Sequence, residues 1–245
     1  MKVYILARKI GSGIGCGIER YSASLIENLR KKGVKVKSSS EDLEKYGVFK
    51  PFNSLSGPLV YDLFSVPILR LLKGNDIDVF HATFPQQAFY FRFFKRKNTV
   101  VTFHDLIHFY YPKYKIKEVM YHLYASITDF IAAKNSGHII AISNQTKVEL
   151  INKFSIPESK ITVIPRCADE RFKPLKKIKK GKFFIGYIGA LEARKRVDYL
   201  IRSFYVLQKE HPELECKLVI CGKGSQRAYL EGIVKKLQVK EVEFK

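Results

Sequence analysis

Short apolar segments alternate with longer amphipathic segments along most of this 245-residue chain. The short segments are rich in Val, Ile and Phe, as expected for strands buried in a parallel sheet. Several of the longer ones carry apolar residues at i, i+3 and i+4, which is the spacing of one helix face. Strands are predicted at residues 3–7, 34–37, 79–83, 99–103, 138–142, 161–164, 183–189, 217–222 and 241–244. This alternation predicts βαβ units, mostly parallel sheets and an α/β fold.

A polar, lysine-rich segment interrupts the alternation at residues 174–182. It contains Pro174 and Gly181 and is too basic for a buried element, so it is predicted to be a linker. A fresh strand–glycine–helix pattern starts at residue 183. We therefore expect an N-terminal domain at residues 1–173 and a second domain at residues 183–245.

The formal net charge of +21 attracts phosphate, whether in nucleic acid, in anionic lipid or in a nucleotide diphosphate. A lysine-rich, solvated surface accounts for the charge equally well, so charge alone does not select a partner. The four cysteines show no metal-binding or disulfide pattern, and reduced thiols of a cytosolic protein are expected. They are Cys16, Cys167, Cys216 and Cys221. The first apolar run is too short for a signal peptide, and no run is long enough to cross a bilayer.

A glycine-rich segment at residues 11–17 joins the first predicted strand to a helix that begins near Ile18. Backbone N–H groups at a helix N-terminus suit an anion or the hydroxyls of a sugar, although a flexible loop is the simpler reading. The dinucleotide pattern G-x-G-x-x-G is met from neither Gly11 nor Gly13, and no carboxylate ends the second strand. Neither an NAD site nor a P-loop is predicted.

His104 and Asp105 directly follow the strand at 99–103, at the end where open α/β sheets bind ligands. They are therefore candidate site residues. His81 occupies a similar position and is predicted to be a structural or an acceptor-side residue. Residues 76–78 match a D-x-D metal pattern but precede their strand, at the wrong sheet edge, so no metal site is predicted.

Two further polar positions stand at predicted helix starts. Ser143 follows the strand at 138–142 and is expected to cap the next helix. Arg194, Lys195 and Arg196 precede a helix N-terminus, where three cations are unfavourable for the isolated helix. A bound diphosphate would justify that cost, and a solvated basic turn is the alternative.

In this order the motifs resemble a GT-B-fold glycosyltransferase of family four, close to mannosyltransferase-like members of cell-surface polysaccharide synthesis. The resemblance covers essentially the whole chain. Its motifs are GIERY at 17–21, FHDL at 103–106, AIS at 141–143 with Lys147 and Leu150, VIP at 163–165 with Asp169 and FKP at 172–174, GALEARK at 189–195, and VICGKG at 219–224.

The resemblance implies two Rossmann-like domains and transfer of a hexose, with retention, from a GDP- or UDP-linked donor to a glycan or polyprenyl-linked acceptor. It implies that Arg194 and Lys195 neutralise the leaving diphosphate without a metal or cofactor. It places His104 beside the donor sugar near the reacting carbon. The remaining residues expected to bind donor or acceptor are Gly15, Gly17, Asp105, Ser143, Arg166 and Gly189.

The chain departs from the family pattern at three places. Residues 166–169 read Arg-Cys-Ala-Asp where Asn-Gly-Val-Asp is common; the missing glycine predicts a strained turn, and Arg166 adds a phosphate contact. Arg196 stands where Gly or Asn usually follows the lysine. The paired glutamates that hold the donor are absent by residue 245. We therefore expect a truncated chain with an exposed sheet edge, little activity alone and a missing C-terminal half as a partner.

The alternative function is a non-catalytic, basic module that binds a membrane surface or nucleic acid. Residues 90–97 and 113–117 interleave aromatic and cationic side chains, which suits anionic lipid or stacking on bases. An ordinary basic helix face is equally open. Because acceptors in the family are often lipid-linked, we expect a peripheral position on the cytoplasmic face of the membrane, and no nucleic acid.

Overall fold

The computed structural model describes residues 1–7, 17–41, 76–93, 98–110, 116–168, 172–173 and 183–245. The chain divides into two compact units, unit 1 (Met1–Ala168) and unit 2 (Asp169–Lys245). The predicted linker at 174–182 lies outside the described residues, as do Gly15, Cys16 and most of the two aromatic–basic segments.

Unit 1 is built from six strands and four α-helices within the described residues. The strands are β1 (Lys2–Leu6), β2 (Lys35–Ser38), β3 (Val79–Ala82), β4 (Thr99–Phe103), β5 (His138–Ala141) and β6 (Ile161–Val163). The helices are α1 (Gly17–Lys31), α2 (Pro85–Ala88), α3 (Ile116–Asn135) and α4 (Asn144–Phe154), with 3-10 turns at Phe89–Phe93, Ile107–Phe109 and Glu158–Lys160.

The six strands form one parallel sheet in the order β2-β1-β3-β4-β5-β6. The strand order reverses between β1 and β3, because β2 pairs on one side of β1 and β3 on the other. At such a reversal the connections leave in opposite directions and open a crevice at the carboxyl ends of the strands. The topology therefore places the ligand-binding edge beside Leu6 and Ala82.

Side chains of β1 alternate between two cores. Tyr4 and Leu6 join the larger cluster, together with Phe103 of β4. Val3 and Ile5 join a smaller cluster with Ile26 of α1 on the opposite face. A strand buried on both faces needs apolar residues at every position, which is why residues 3–7 read as a continuous apolar run.

Unit 2 contains strands β7 (Phe183–Ile188), β8 (Cys216–Cys221) and β9 (Val242–Phe244), and helices α5 (Val197–Glu210) and α6 (Arg227–Leu237). Its three strands are parallel, in the order β7-β8-β9. Leu218 and Ile220 of β8 pack against the helices in a core of their own. On β7, by contrast, Phe184 is 69% and Ile188 88% exposed, so apolar surface is uncovered there.

The predicted fold class is confirmed. All nine predicted strands are present, each with bounds within one residue of the prediction. Both sheets are parallel, and unit 2 carries the smaller one. Cys216 and Cys221 stand at the two ends of β8, too far apart to bridge, and both are free thiols, as is Cys167.

Candidate active site

The predicted residues of unit 1 lie at the carboxyl edge of the six-stranded sheet. Gly17 begins α1. His104 and Asp105 follow β4, Ser143 follows β5 and Arg166 follows β6. The fold brings Gly17, His104 and Arg166 into one cluster, although they are far apart in the sequence.

Both ring nitrogens of His104 have hydrogen-bond partners. Its Nε2 lies 2.8 Å from the carbonyl oxygen of Thr83. A carbonyl can only accept, so Nε2 carries the hydrogen and donates it. Nδ1 then accepts a hydrogen bond from Nη2 of Arg166 at 2.7 Å. The ring is therefore held as one defined neutral tautomer.

The charge state of His104 follows from the same surroundings. Burial and, second, the positive charge of Arg166 together lower the pKa of His104 to about 4, against the opposing effects of the hydrogen bond to Thr83 and of the carboxylate of Asp105. At neutral pH the imidazole is uncharged and its acceptor nitrogen is occupied. In this arrangement it serves as a fixed dipole and not as an available base.

Arg166 reaches across the end of β5 to this cluster. Its guanidinium carbon lies 5.5 Å from the ring centroid of Tyr21, a cation–π contact. The rings of Tyr21 and His104 meet edge to face, with centroids 4.9 Å apart. A Cβ atom on Gly17 would lie 3.6 Å from Nη1 of Arg166, so the guanidinium stands beside the first turn of α1.

A buried hydroxyl network supports His104 from below. Thr102 Oγ1 contacts the Tyr21 hydroxyl at 3.2 Å and Nε2 of His81 at 2.8 Å. Thr83 Oγ1 donates to the carbonyl of Leu6 and accepts from Ser22 Oγ at 2.8 Å. These bonds tie the ends of β1, β3 and β4 to α1.

The sequence patterns did not single out four contributors to this network, Tyr21, Ser22, Thr83 and Thr102. A usable signal was present for the threonines, since Thr83 and Thr102 fall at the carboxyl ends of otherwise apolar strands. His81 is buried within this network, as a structural role requires, and the acceptor-side alternative stays a prediction. His81 is 6% exposed. Its pKa is lowered to about 4, mainly by burial and, second, by the charge of the nearby His104.

Asp105 organises the turn after β4. Its Oδ1 accepts a hydrogen bond from the backbone N–H of Ile107 at 3.3 Å. Beneath it lies the buried carboxyl of Asp129, which Gln86 contacts at 3.2 Å and His108 at 3.8 Å. Burial, with a further effect from Asp105, raises the pKa of Asp129 well above its usual range.

Ser143 caps α4, as predicted. Its Oγ accepts a hydrogen bond from the backbone N–H of Thr146 at 3.1 Å, and its backbone is extended. Within the described residues the hydrogen bonds of Ser143 are local ones to Thr146, and none reaches the His104 cluster. Its proposed part in substrate binding remains a prediction.

The expected strain at residues 166–168 is wrong. Among the described residues other than glycine, positive φ occurs at Ser155, Arg196, Gln238 and Glu241. Residues 166–168 run past the sheet edge without the left-handed turn that a glycine would serve. The strain falls instead on Arg196, with φ 50° and ψ 39°, where the family commonly has Gly or Asn.

In unit 2, two of the three cations of the basic turn at residues 194–196 lie beside carboxylates. Nε of Arg194 pairs with Glu192 at 2.6 Å, and Nε of Arg196 lies 3.4 Å from Asp198 in the first turn of α5. The nearby carboxylates offset part of the repulsion between the cations and the helix N-terminus. Lys195 has no ion pair within the described part of the chain and is the cation most available to a ligand.

Gly189 belongs to a pair of closely packed backbone segments. The N–H of Gly189 donates to the carbonyl of Cys221, and that of Leu191 to the carbonyl of Lys223. A Cβ atom on Gly222 would lie 1.9 Å from the carbonyl oxygen of Gly189, and one on Gly224 would lie 2.3 Å from that of Leu191. The glycines of both motifs therefore let two loops meet above β7 and β8.

Helix α3 presents an unusual distribution of side-chain size. Its inward positions include Ala125, Asp129 and Ala132, all buried. Large apolar side chains point outward, and Met120 is 65% and Leu123 59% exposed. We call this face the α3 surface; its members are Ile116, Val119, Met120, Leu123, Ile127 and Phe130. None of the described helices is both long enough and apolar enough to span a membrane.

Cations border the α3 surface. Lys134 lies 5.8 Å from the ring centroid of Phe130. The 3-10 turn Phe89–Phe93 packs on α3, and within it Arg92 lies 5.7 Å from the ring of Phe93. Such an arrangement, with a large apolar centre and a cationic rim, is typical of an interaction surface.

Three comparisons indicate the same class of protein. The chain is 24% identical over 145 residues to the O-antigen chain mannosyltransferase RfbU of Salmonella typhimurium, and 26% identical over 125 residues to an uncharacterized glycosyltransferase of Methanocaldococcus jannaschii. These matches cover 59% and 46% of this chain, but only 38% and 31% of the two relatives.

Among solved structures, the lipopolysaccharide outer core galactosyltransferase WaaB superposes with a TM-score of 0.61 at 17% identity. The superposition covers all of this chain and 67% of WaaB, and it supports the GT-B fold. These matches favour an enzyme over the non-catalytic module. Residues 15–172 match the family model described as Glycosyltransferase Family 4, and residues 168–245 that described as Glycosyl transferases group 1. Since the first match spans more than half of the sequence, the chain belongs to this family of GT-B glycosyltransferases.

Proposed function

We propose that this protein transfers a hexose from a UDP- or GDP-linked donor to a glycan or polyprenyl-linked acceptor, in the synthesis of a cell-surface polysaccharide or glycoconjugate. The observation that carries the proposal is the cluster of Gly17, His104 and Arg166 at the sheet edge of a glycosyltransferase fold. The name of the RfbU relative, an O-antigen chain mannosyltransferase, supports mannose and polysaccharide as the first choices to test.

In the proposed reaction the bond between the anomeric carbon and the donor diphosphate breaks. A hydroxyl oxygen of the acceptor forms the new bond to that carbon and gives its proton to an oxygen of the departing diphosphate, which leaves with the bonding electron pair. Lys195, with Arg194, would offset the charge that develops on the diphosphate. Since both ring nitrogens of His104 are occupied, the proposal gives His104 no proton transfer.

Nucleotide binding provides the first test. We expect UDP or GDP to raise the unfolding temperature, and Lys195→Ala to weaken binding about 10-fold or more, because an ionic hydrogen bond to phosphate is lost. Lys236→Ala removes the same charge from the exposed face of α6 and serves as the matched control. If neither nucleotide binds, or if both variants weaken nucleotide binding equally, the proposal is contradicted.

Transfer of labelled hexose to glycan and polyprenyl phosphate acceptors tests the reaction itself. The proposal includes retention of anomeric configuration, which NMR of the product determines. It also includes metal independence, since Lys195 and Arg194 would supply the positive charge. We expect EDTA to leave the rate unchanged; a loss restored by a divalent cation would refute that part.

We further propose that the α3 surface rests on an anionic membrane, which would bring the enzyme to a lipid-linked acceptor. Large apolar side chains could enter the interface while Arg92, Lys134 and the net charge of +21 meet lipid phosphates. The inward Ala residues of α3 support this proposal. Alanine buries little apolar area, so most of the apolar area that α3 can still remove from water lies on its outer face.

Sedimentation with vesicles tests the membrane proposal. Leu123→Ser with Ile127→Ser should abolish binding to vesicles that contain phosphatidylglycerol, and high salt should weaken binding of the wild type. Val148→Ser, at a 52% exposed position on α4, is the control and should bind normally. If the α3 surface instead mediates self-association, the variants will change the sedimentation coefficient without any vesicle binding by the wild type.

A further inference from the structure

We propose that Arg166 binds a phosphate group of the substrate and that His104 is its positioning residue, which acts through Arg166 and not by its own contact with sugar. The inference rests on the proposed glycosyl transfer and deepens it. The phosphate belongs either to the nucleotide diphosphate of the donor or to a phosphate-linked acceptor. In both cases the chemistry recognised is a phosphate oxygen.

The hydrogen bonds of His104 occupy both of its ring nitrogens. The Nε2–H of His104 donates to the carbonyl of Thr83, and its Nδ1 accepts from Nη2 of Arg166. No ring nitrogen is therefore left for a sugar hydroxyl. The Thr83 carbonyl fixes the tautomer in which Nδ1 is an acceptor, and an acceptor at that position is what a guanidinium needs. The bond therefore orients Arg166 and leaves His104 occupied.

Arg166 keeps guanidinium donors beyond the one that His104 accepts. A guanidinium has five N–H donors, and one is used on His104. No carboxylate within the described residues pairs with Arg166, and the side chain is exposed at the carboxyl edge of the sheet. Its face lies over Tyr21 and its Nη1 stands beside Gly17. A planar fork held on two sides suits a phosphate, which takes two parallel hydrogen bonds from arginine.

Two substitutions of His104 separate positioning from direct contact. His104→Asn keeps an acceptor oxygen near the place of Nδ1 and loses the bond to Thr83. His104→Gln keeps an amide donor near the place of Nε2 and loses the acceptor for Arg166. If His104 acts through Arg166, His104→Gln and Arg166→Gln each weaken phosphate binding by about 10- to 100-fold, and His104→Asn by only about 3-fold.

The probes are inorganic pyrophosphate, UDP, GDP and farnesyl phosphate, each titrated into the full chain by calorimetry. Combining His104→Gln with Arg166→Gln should weaken binding no further than Arg166→Gln alone, because both remove one interaction. The proton resonances of His104 supply a readout that a merely structural role would leave unmoved. Bound phosphate compensates the guanidinium charge, so it should raise the pKa of His104 from about 4 in the wild type but not in Arg166→Gln.

The outcomes separate this inference from the proposed function. Dependence on Arg166 with UDP or GDP identifies the donor as the source of the phosphate, and dependence with farnesyl phosphate identifies the acceptor. Nucleotide binding that requires Lys195 but not Arg166 overturns this inference and leaves the proposed function standing. Equal losses in His104→Asn and His104→Gln, additive with Arg166→Gln, would also overturn it, by assigning His104 a contact of its own.

Discussion

Single residues in this protein have roles that depend on partners far away in the sequence. His104 alone would titrate near neutral pH, but burial and Arg166 hold it neutral. Gly222 and Gly224 serve close backbone contact with Gly189 and Leu191, whose loop belongs to another strand. At this scale the chemistry of a side chain is set by what the fold places around it.

The glycines of the β8 loop give the first prediction. Gly222→Ala or Gly224→Ala should destabilise unit 2 by about 1–3 kcal/mol, because the added methyl group would overlap a backbone oxygen that cannot move freely. Gly186→Ala places its methyl group in open space and is the control. Urea unfolding of the three variants measures the difference, and equal midpoints would show that the loops separate without cost.

The buried His81 gives the second prediction, a dependence of stability on pH. His81 titrates near 6.5 when unfolded and near 4 when folded, so the unfolded state binds more protons between these values. The contribution of His81 to the free energy of unfolding is fully present above about pH 6.5 and is lost as the pH drops toward 4. The loss attributable to His81 should approach about 3 kcal/mol.

His81→Gln isolates this effect, since it keeps an amide donor near Thr102 but cannot be protonated. Unfolding free energies of wild type and variant, measured at several pH values, should differ in slope only below pH 6.5. Parallel curves would indicate that His81 titrates normally in the folded protein.

At the scale of secondary-structure elements, helix ends and helix faces reflect different constraints. Helix α4 begins directly after its N-cap residue Ser143 and ends directly before Ser155, whose backbone is left-handed, so its bounds are set locally. Helix α3 has small or polar residues inward and large apolar residues outward. The composition of its outer face therefore reflects the surroundings of the protein and not its core. The bounds of α4 could be predicted from its own residues, whereas the role of α3 is indicated only by the exposure of its outer face.

The cap of α4 gives the third prediction. Ser143→Ala should reduce the unfolding free energy of unit 1 by about 1 kcal/mol, because the N–H of Thr146 loses its acceptor at a partly buried site. Ser203→Ala, at an exposed position within α5, should instead stabilise slightly, by a few tenths of a kcal/mol at most, because Ala has the higher helix propensity. Thermal unfolding compares the two, and activity in Ser143→Ala that falls without any loss of stability would assign Ser143 to substrate binding.

At the scale of the whole molecule, two cores share no residue. The larger core of unit 1 includes Val101 and Ile139, whereas that of unit 2 includes Ile201 and Leu218. Each unit therefore has its own source of hydrophobic stabilisation.

The separate cores give the fourth prediction. Ile139→Val and Ile201→Val should each cost about 0.5–1.5 kcal/mol, and the loss should be confined to the unit that contains the substitution. Hydrogen exchange followed by mass spectrometry resolves this, since only amides of the affected unit should lose protection. Loss of protection throughout the chain would show that the two units unfold together.

Much of the fold was predictable because it follows from local pattern. The continuous apolar run at residues 3–7 can form only a strand buried on both faces, and both cores on β1 confirm it. Ser143 was predicted as a cap because capping depends on residues three apart. The glycosyltransferase class was predicted because its motifs occur in order along the sequence.

The sequence by itself determined the strands, the parallel sheets, the capped helix and the class of enzyme, since each depends on residues close together or on ordered motifs. Only the tertiary structure decided that Arg166 reaches His104 and Tyr21, and that the loop of Gly222 packs against that of Gly189. The physical reason is distance along the chain. The state of an ionisable side chain depends on burial and on charges that come from other strands, and no local pattern records which strands will be neighbours.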